Sequence, residues 1–196
     1  MLAGEKMQKK RIIYVFAAIL IAIALVYFFG INRSSGASQS FMPAVGAKAP
    51  DYSFIYASNG TVANVSSLEG KPVLLWFVAT WCSGCAVGNE MLNNNISYFK
   101  NKGINVIEIE LYRDLGYSGA PINTFVNDYA PNVTSYSNFR SAISGYNLSL
   151  AYDKDGYLDV YYLIGPNGKI VYENDGSLAA TMKNLKSRIN SLSGSL

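Results

Sequence analysis

The chain has 196 residues, enough for one domain plus an appendage, and a formal net charge of +3. Within residues 1–40 the cations Lys6, Lys9, Lys10, Arg11 and Arg33 face only Glu5, a net of +4, so the remainder carries −1. A nearly neutral remainder excludes the basic face that nucleic acid requires. The lack of any histidine excludes zinc sites of the Cys/His type and any Cys–His catalytic couple.

Ile12 to Phe29 is an unbroken apolar or aromatic run. As a helix it would be about 27 Å long, close to a bilayer core. Lys9, Lys10 and Arg11 precede it, so the positive-inside bias puts residues 1–11 in the cytoplasm, a transmembrane anchor at 12–30 and the rest outside. Ser35-Gly36-Ala37 could serve as a cleavage site, but the run is longer than a signal-peptide core of about 7–15 residues, which favours an uncleaved anchor. With no cysteine near it, a lipoprotein anchor is excluded. Residues 31–45, rich in Ser, Gly and Ala, read as a flexible tether, and 46–196 as the folded domain. Asn-x-Ser/Thr sequons at Asn32, Asn59, Asn64, Asn95, Asn132 and Asn147 all fall on the expected outer side, which permits glycosylation.

The domain reads as mixed α/β. Tyr52–Tyr56 and Thr61–Val65 flank Ser58-Asn59-Gly60, a hairpin signal. Val73–Ala79 is apolar at every position, as in a strand buried on both faces. After Cys82 the spacing of Val87, Met91, Leu92, Ile96 and Phe99 predicts one helix ending near Lys102-Gly103, followed by a strand over Ile104–Leu111. Strand, helix, strand at this length implies a right-handed parallel crossover. A helix is expected around Ile122–Tyr129, with Pro121 at its start, and a short one over Phe139–Gly145. Asp159–Ile164 and Lys169–Glu173 are strands joined by Gly165-Pro166-Asn167-Gly168. Leu178, Met182, Leu185 and Ile189 are in phase on a final amphipathic helix.

The only two cysteines lie in Trp81-Cys82-Ser83-Gly84-Cys85, between the Val73–Ala79 strand and the helix after it. A dithiol at a strand-to-helix junction is what thiol–disulfide exchange needs. The competing reading is an inert disulfide. A loop this short would restrain the unfolded chain by only about 2 kcal/mol, against nearly 5 for a 100-residue loop, so it makes a poor staple. Asp153-Lys154-Asp155-Gly156-Tyr157-Leu158-Asp159 has the spacing of a calcium loop, but Ile164 stands where Glu is required, so a solvated turn is expected.

The stretch Leu68–Cys85, with Tyr162–Ile170 later, resembles the thioredoxin superfamily, most closely its membrane-anchored, extracytoplasmic TlpA-like thiol–disulfide oxidoreductases. The resemblance implies a thioredoxin-like fold, a central mixed sheet flanked by helices. It implies a redox-active pair with Cys82 as nucleophile at the helix N-terminus, where N–H groups favour the thiolate, and Cys85 resolving the mixed disulfide. Trp81, Ser83, Gly84 and Asp159 would support the site, with Trp81 shielding the pair. Protein thiols and disulfides outside the cytoplasm are the expected partners, with no cofactor and no metal. The upstream redox donor is not legible.

Three departures from that family stand out. Its cis-proline position, five residues before Ile164, holds Asp159, whose charge would disfavour a thiolate. Positions where relatives carry a carboxylate hold Trp76 and Gly88, with Glu90 off that face. Ser83-Gly84 lacks the proline common between the cysteines. Two other functions fit the same frame. One is copper handling of the Sco type, although such proteins use Cys-x-x-x-Cys with a histidine; two thiolates could still hold Cu(I). The other is a thioredoxin-like binding module with a non-catalytic disulfide.

Overall fold

A computed structural model describes residues 42–192. The expected anchor at 12–30, the tail at 1–11 and most of the tether lie outside the described residues. Among the described residues no helix is long and apolar enough to cross a membrane.

The strands are β1 (Ser53–Tyr56), β2 (Val62–Asn64), β3 (Val73–Val78), β4 (Asn105–Glu110), β5 (Phe139–Ser144), β6 (Val160–Ile164) and β7 (Ile170–Asn174). They form one sheet in the order β2-β1-β5-β4-β3-β6-β7. β3 runs parallel to β4, and β4 parallel to β5, while the β1–β2, β1–β5, β3–β6 and β6–β7 pairs are antiparallel. The helices are α1 (Ser83–Asn93), α2 (Ile96–Asn101), α3 (Ile122–Tyr129), α4 (Tyr146–Tyr152) and α5 (Leu178–Ser191).

The central strand β3 is buried at every position because both faces of the sheet are covered. Its side chains alternate between two cores. Leu74, Trp76 and Val78 face a core that includes Leu92 of α1, Phe125 of α3 and Leu185 of α5. Val73, Leu75 and Phe77 face a second core with Phe54, Leu148, Tyr152 and Tyr162. Phe77 stacks on Tyr152, ring centroids 5.1 Å apart, so α4 closes the second face.

The chain departs from the sequence expectations in three places. The single helix after Cys82 is two, α1 and α2, because Asn95 Nδ2 donates to the Met91 carbonyl at 2.6 Å and diverts the backbone. Val87 lies off the buried stripe, 51% exposed, and Cys85, Ala86, Gly88, Asn89 and Leu92 form the inner face instead. Phe139–Ser144 is the strand β5 rather than a helix: it fills the slot between β4 and β1 and bonds both. The following helix α4, which the sequence reading lacked, packs through Leu148 and Tyr152. Of the sequons, Asn59, Asn64, Asn132 and Asn147 are exposed, whereas the Asn95 amide is engaged by Met91 and Lys186.

Candidate functional site

β3 ends at Val78 and α1 begins at Ser83, so Thr80, Trp81 and Cys82 form the junction. Cys82 is the N-cap of α1. Its backbone is extended (φ −81°, ψ 116°), and its Sγ accepts the Cys85 N–H at 3.1 Å. A sulfur at this place meets the unpaired N–H groups and the positive end of the helix. Both cysteines are thiols. The Cys85 thiol donates to the Cys82 sulfur, and this bond with the N–H groups of Cys85 and Gly84 outweighs burial, lowering Cys82 to about 7. Cys85 moves the opposite way: donating its proton to Cys82 and lying in the core, it is pushed well above the usual thiol range. Cys82 keeps 7% of its surface and Cys85 none, so Cys82 is the more accessible of the two. Ser83 and Gly84 are exposed in the first turn. Trp81 is 38% exposed beside them, its ring 4.7 Å from that of Tyr117.

Behind the pair lies a buried polar group built from several elements. Trp76 Nε1 donates to Asp159 Oδ1 at 2.6 Å. Asp159 is buried, with a left-handed backbone (φ 71°), just before β6. Burial pushes its carboxyl up to about 6, against the opposing effect of the Leu178 N–H, Trp76 and Ser177. Its charge in turn raises both sulfurs. The altered positions Trp76 and Gly88 belong together. A Cβ on Gly88 would fall 2.7 Å from Trp76 Cζ2 and 3.5 Å from Asp159 Oδ1, so the missing side chain makes room for the indole. Glu90, by contrast, is exposed.

The sequence reading missed Glu108, because Ile107-Glu108-Ile109-Glu110 alternates as a strand with one solvated face would. Glu108 pairs across the sheet with Trp76 and is fully buried. It accepts the Asn89 side-chain N–H at 2.7 Å. Its Oε2 has no hydrogen-bond partner, nor does Asn89 Oδ1. Burial raises Glu108 to about 8, against the Asn89 bond and with help from the Asp159 charge. A buried carboxylate from the adjacent strand thus reaches α1 through Asn89, one turn beyond Cys85.

A second missed group holds the junction from the front. Arg113, Asp114 and Leu115 are consecutive left-handed residues (φ 52°, 50° and 58°) in the turn after β4. Each costs about 1–2 kcal/mol in an L-residue. The turn brings Asp114 against the junction. Thr80 N–H donates to its Oδ1 at 2.9 Å, Thr80 Oγ1–H to its Oδ2 at 2.6 Å, and Trp81 Nε1–H to its carbonyl at 2.7 Å. The Asp153–Asp159 segment is a turn in which Asp153 Oδ1 accepts the Tyr157 N–H at 2.7 Å. Among the described residues no group of three or more Cys, Asp or Glu side chains is arranged to hold a metal ion.

This geometry can be set beside known proteins. The thiol–disulfide oxidoreductase ResA of Bacillus subtilis is 25% identical over 177 residues, which span 90% of this chain and 92% of that one. The crystal structure of a putative thiol:disulfide interchange protein DsbE from Chlorobium tepidum superposes with a TM-score of 0.61 at 23% identity, over 78% of this chain and 99% of that one. BsSco, of the Sco family of cytochrome c oxidase assembly proteins, gives 0.56 at 18% identity over 77% and 95%. Both structures share the thioredoxin-like α/β fold, which therefore does not by itself separate their functions. The AhpC/TSA family profile matches residues 45–173, and the chain belongs to that family.

Proposed function

We propose that this protein is a thiol–disulfide oxidoreductase acting through Cys82 and Cys85 on protein dithiols and disulfides. The observation that carries the reading is the opposite treatment of two sulfurs one helical turn apart. Cys82 is lowered to about 7 at the reachable end of α1, and Cys85 is raised within the core. The first suits a nucleophile and leaving group near neutral pH; the second suits a resolving thiol that reacts only with a sulfur already bound to Cys82. In the reductive direction the Cys82 thiolate attacks a partner disulfide, forming a mixed disulfide and releasing one partner thiolate. Cys85 then loses its proton and attacks the Cys82 sulfur. The partner leaves with two thiols and the chain keeps a Cys82–Cys85 disulfide. The oxidative direction reverses each step. The names of the ResA relatives support this activity.

The run Ile12–Phe29 and its cationic flank support a membrane tether with the domain outside the cytoplasm. Partners would then be extracytoplasmic protein thiols. Protease access to the domain from the outer face of intact cells tests that placement.

The full chain should reduce insulin disulfides with dithiothreitol as electron source. Cys85→Ser should accumulate mixed disulfides through Cys82, and Cys82→Ser should trap them poorly. If neither variant captures a partner and insulin is not reduced, the reading fails.

A further inference from the structure

We infer that Asp114 and Thr80 form a positioning latch that holds Cys82 in its N-cap geometry, with the left-handed turn Arg113–Leu115 as the device that delivers it. The inference rests on the redox reading of the pair above.

Thr80 lies beyond the end of β3, where the ladder no longer supplies a partner for its N–H. The Asp114 carboxylate takes that N–H and the hydroxyl of the same residue, one on each oxygen. Its carbonyl takes the indole of the next residue, Trp81. Two consecutive residues are thereby fixed by three hydrogen bonds to one residue, immediately before the nucleophilic position. The latch is buried at both Thr80 and Asp114, where such charge-assisted bonds are strong and their loss is costly.

The surroundings are fitted to the latch. A Cβ on Gly119 would fall 1.9 Å from Thr80 Oγ1 and 2.3 Å from Asp114 Oδ2, so only glycine lets the 119 backbone pass over it. The turn is anchored on its other side. Tyr112 N–H donates to Ser149 Oγ at 2.8 Å, and that hydroxyl shares a 2.6 Å bond with Ser144 Oγ. Three left-handed residues in a row persist only where neighbours over-determine them, and such turns concentrate at working sites. Here they aim a carboxylate at the junction that carries the dithiol.

The consequence for chemistry is indirect. Cys82 is favoured as a thiolate while its sulfur stays on the donors of the first turn, the Cys85 side chain first and then the N–H groups of Cys85 and Gly84. The charged or titratable groups around the junction are Cys85 on α1, Asp159 before β6, Glu110 at the end of β4 and Asp114 in the turn after it. Releasing Thr80 and Trp81 lets the N-cap swing off those donors while the fold's cores remain.

The test is the pH profile of Cys82 alkylation by iodoacetamide in the reduced full-length chain, in a Cys85→Ser background. It needs no partner protein, so its outcome is separable from insulin reduction. Thr80→Val removes the hydroxyl donor at nearly constant shape. Gly119→Ala opens the latch without altering either partner. Both should raise the alkylation midpoint by about one unit and slow the reaction at pH 7 about fivefold. Thr80→Ser, which keeps the donor, should restore the unsubstituted profile. Thermal melts run alongside identify any variant that fails to fold, in which case the other carries the test. An unchanged midpoint in a folded Thr80→Val or Gly119→Ala chain overturns the inference. So does a Thr80→Ser profile displaced as far as that of Thr80→Val.

Discussion

Asp159 shows how one side chain tunes the pair. Counting along the sequence puts an acid where relatives of this fold place a proline, but a count says nothing about which way the carboxyl points. The structure supplies that: a left-handed backbone turns the side chain inward to Trp76. A charge there opposes thiolate formation at both sulfurs, Cys82 included. Asp159→Asn keeps an oxygen for the Trp76 indole and removes the charge. The Cys82 alkylation midpoint should move below 7, with rates at pH 6 rising about two- to threefold. An unchanged profile would mean that the Asp159 charge does not reach the sulfur. Glu108 and Asp114 were harder to see. The first is hidden by the alternation of β4. The second depends on three consecutive left-handed residues, of which only Asp114 is a type that enters that region readily; Arg113 and Leu115 announce nothing.

At the scale of elements, periodicity located β3, α3, the β6–β7 hairpin and α5, because each has a continuous apolar pattern. It failed over Phe139–Ser144, where Phe139, Ala142 and the flanking serines fit a short helix as well as a strand. What makes this segment a strand is the vacancy between β1 and β4, a tertiary fact. The Asn93-Asn94-Asn95 run that divides α1 from α2 was legible in principle, since asparagine side chains compete for backbone groups. The packing of α1 on β3 carries a sharper prediction. In an open helix, Gly→Ala gains about 1 kcal/mol. At Gly88 the new Cβ would meet the rigid Trp76 ring at 2.7 Å, and the clash wins. Gly88→Ala should lower stability by about 1–3 kcal/mol in denaturant unfolding. A stabilised variant would contradict the packing described between α1 and β3.

For the molecule as a whole, the buried acids set the dependence of stability on pH. Burial raises Glu108 to about 8, Glu110 to about 7, and Asp153 and Asp159 to about 6. Each therefore holds its proton more tightly folded than unfolded. The stability they provide is complete below their ordinary range near pH 4 and is lost as pH rises through 6 to 8. Cys82 works in the opposite sense, but only between its folded value of about 7 and the ordinary thiol range above it. The melting temperature should therefore fall from pH 5 to pH 7. Glu108→Gln, neutral at every pH and still an acceptor for Asn89, should flatten the curve and melt higher at pH 8, by about 2–4 °C for each kcal/mol recovered. A melting temperature that rises from pH 5 to pH 7 would contradict this. The sequence exposed the dithiol and its immediate frame together because both reside in local pattern: an apolar strand, Trp-Cys-x-x-Cys, then an amphipathic helix. It could not expose how the carboxylates around the dithiol are shared among β4, the turn after it and the approach to β6. The claim on which everything else rests is that Cys82 and Cys85 exchange electrons as a unit. Equilibrating the full-length chain with graded thiol–disulfide buffers and counting free thiols by alkylation mass tests it directly. The prediction is a single two-electron transition between about −300 and −120 mV, both thiols disappearing together. Thiols that stay free in the most oxidising buffer, or a disulfide that persists in the most reducing one, would contradict it.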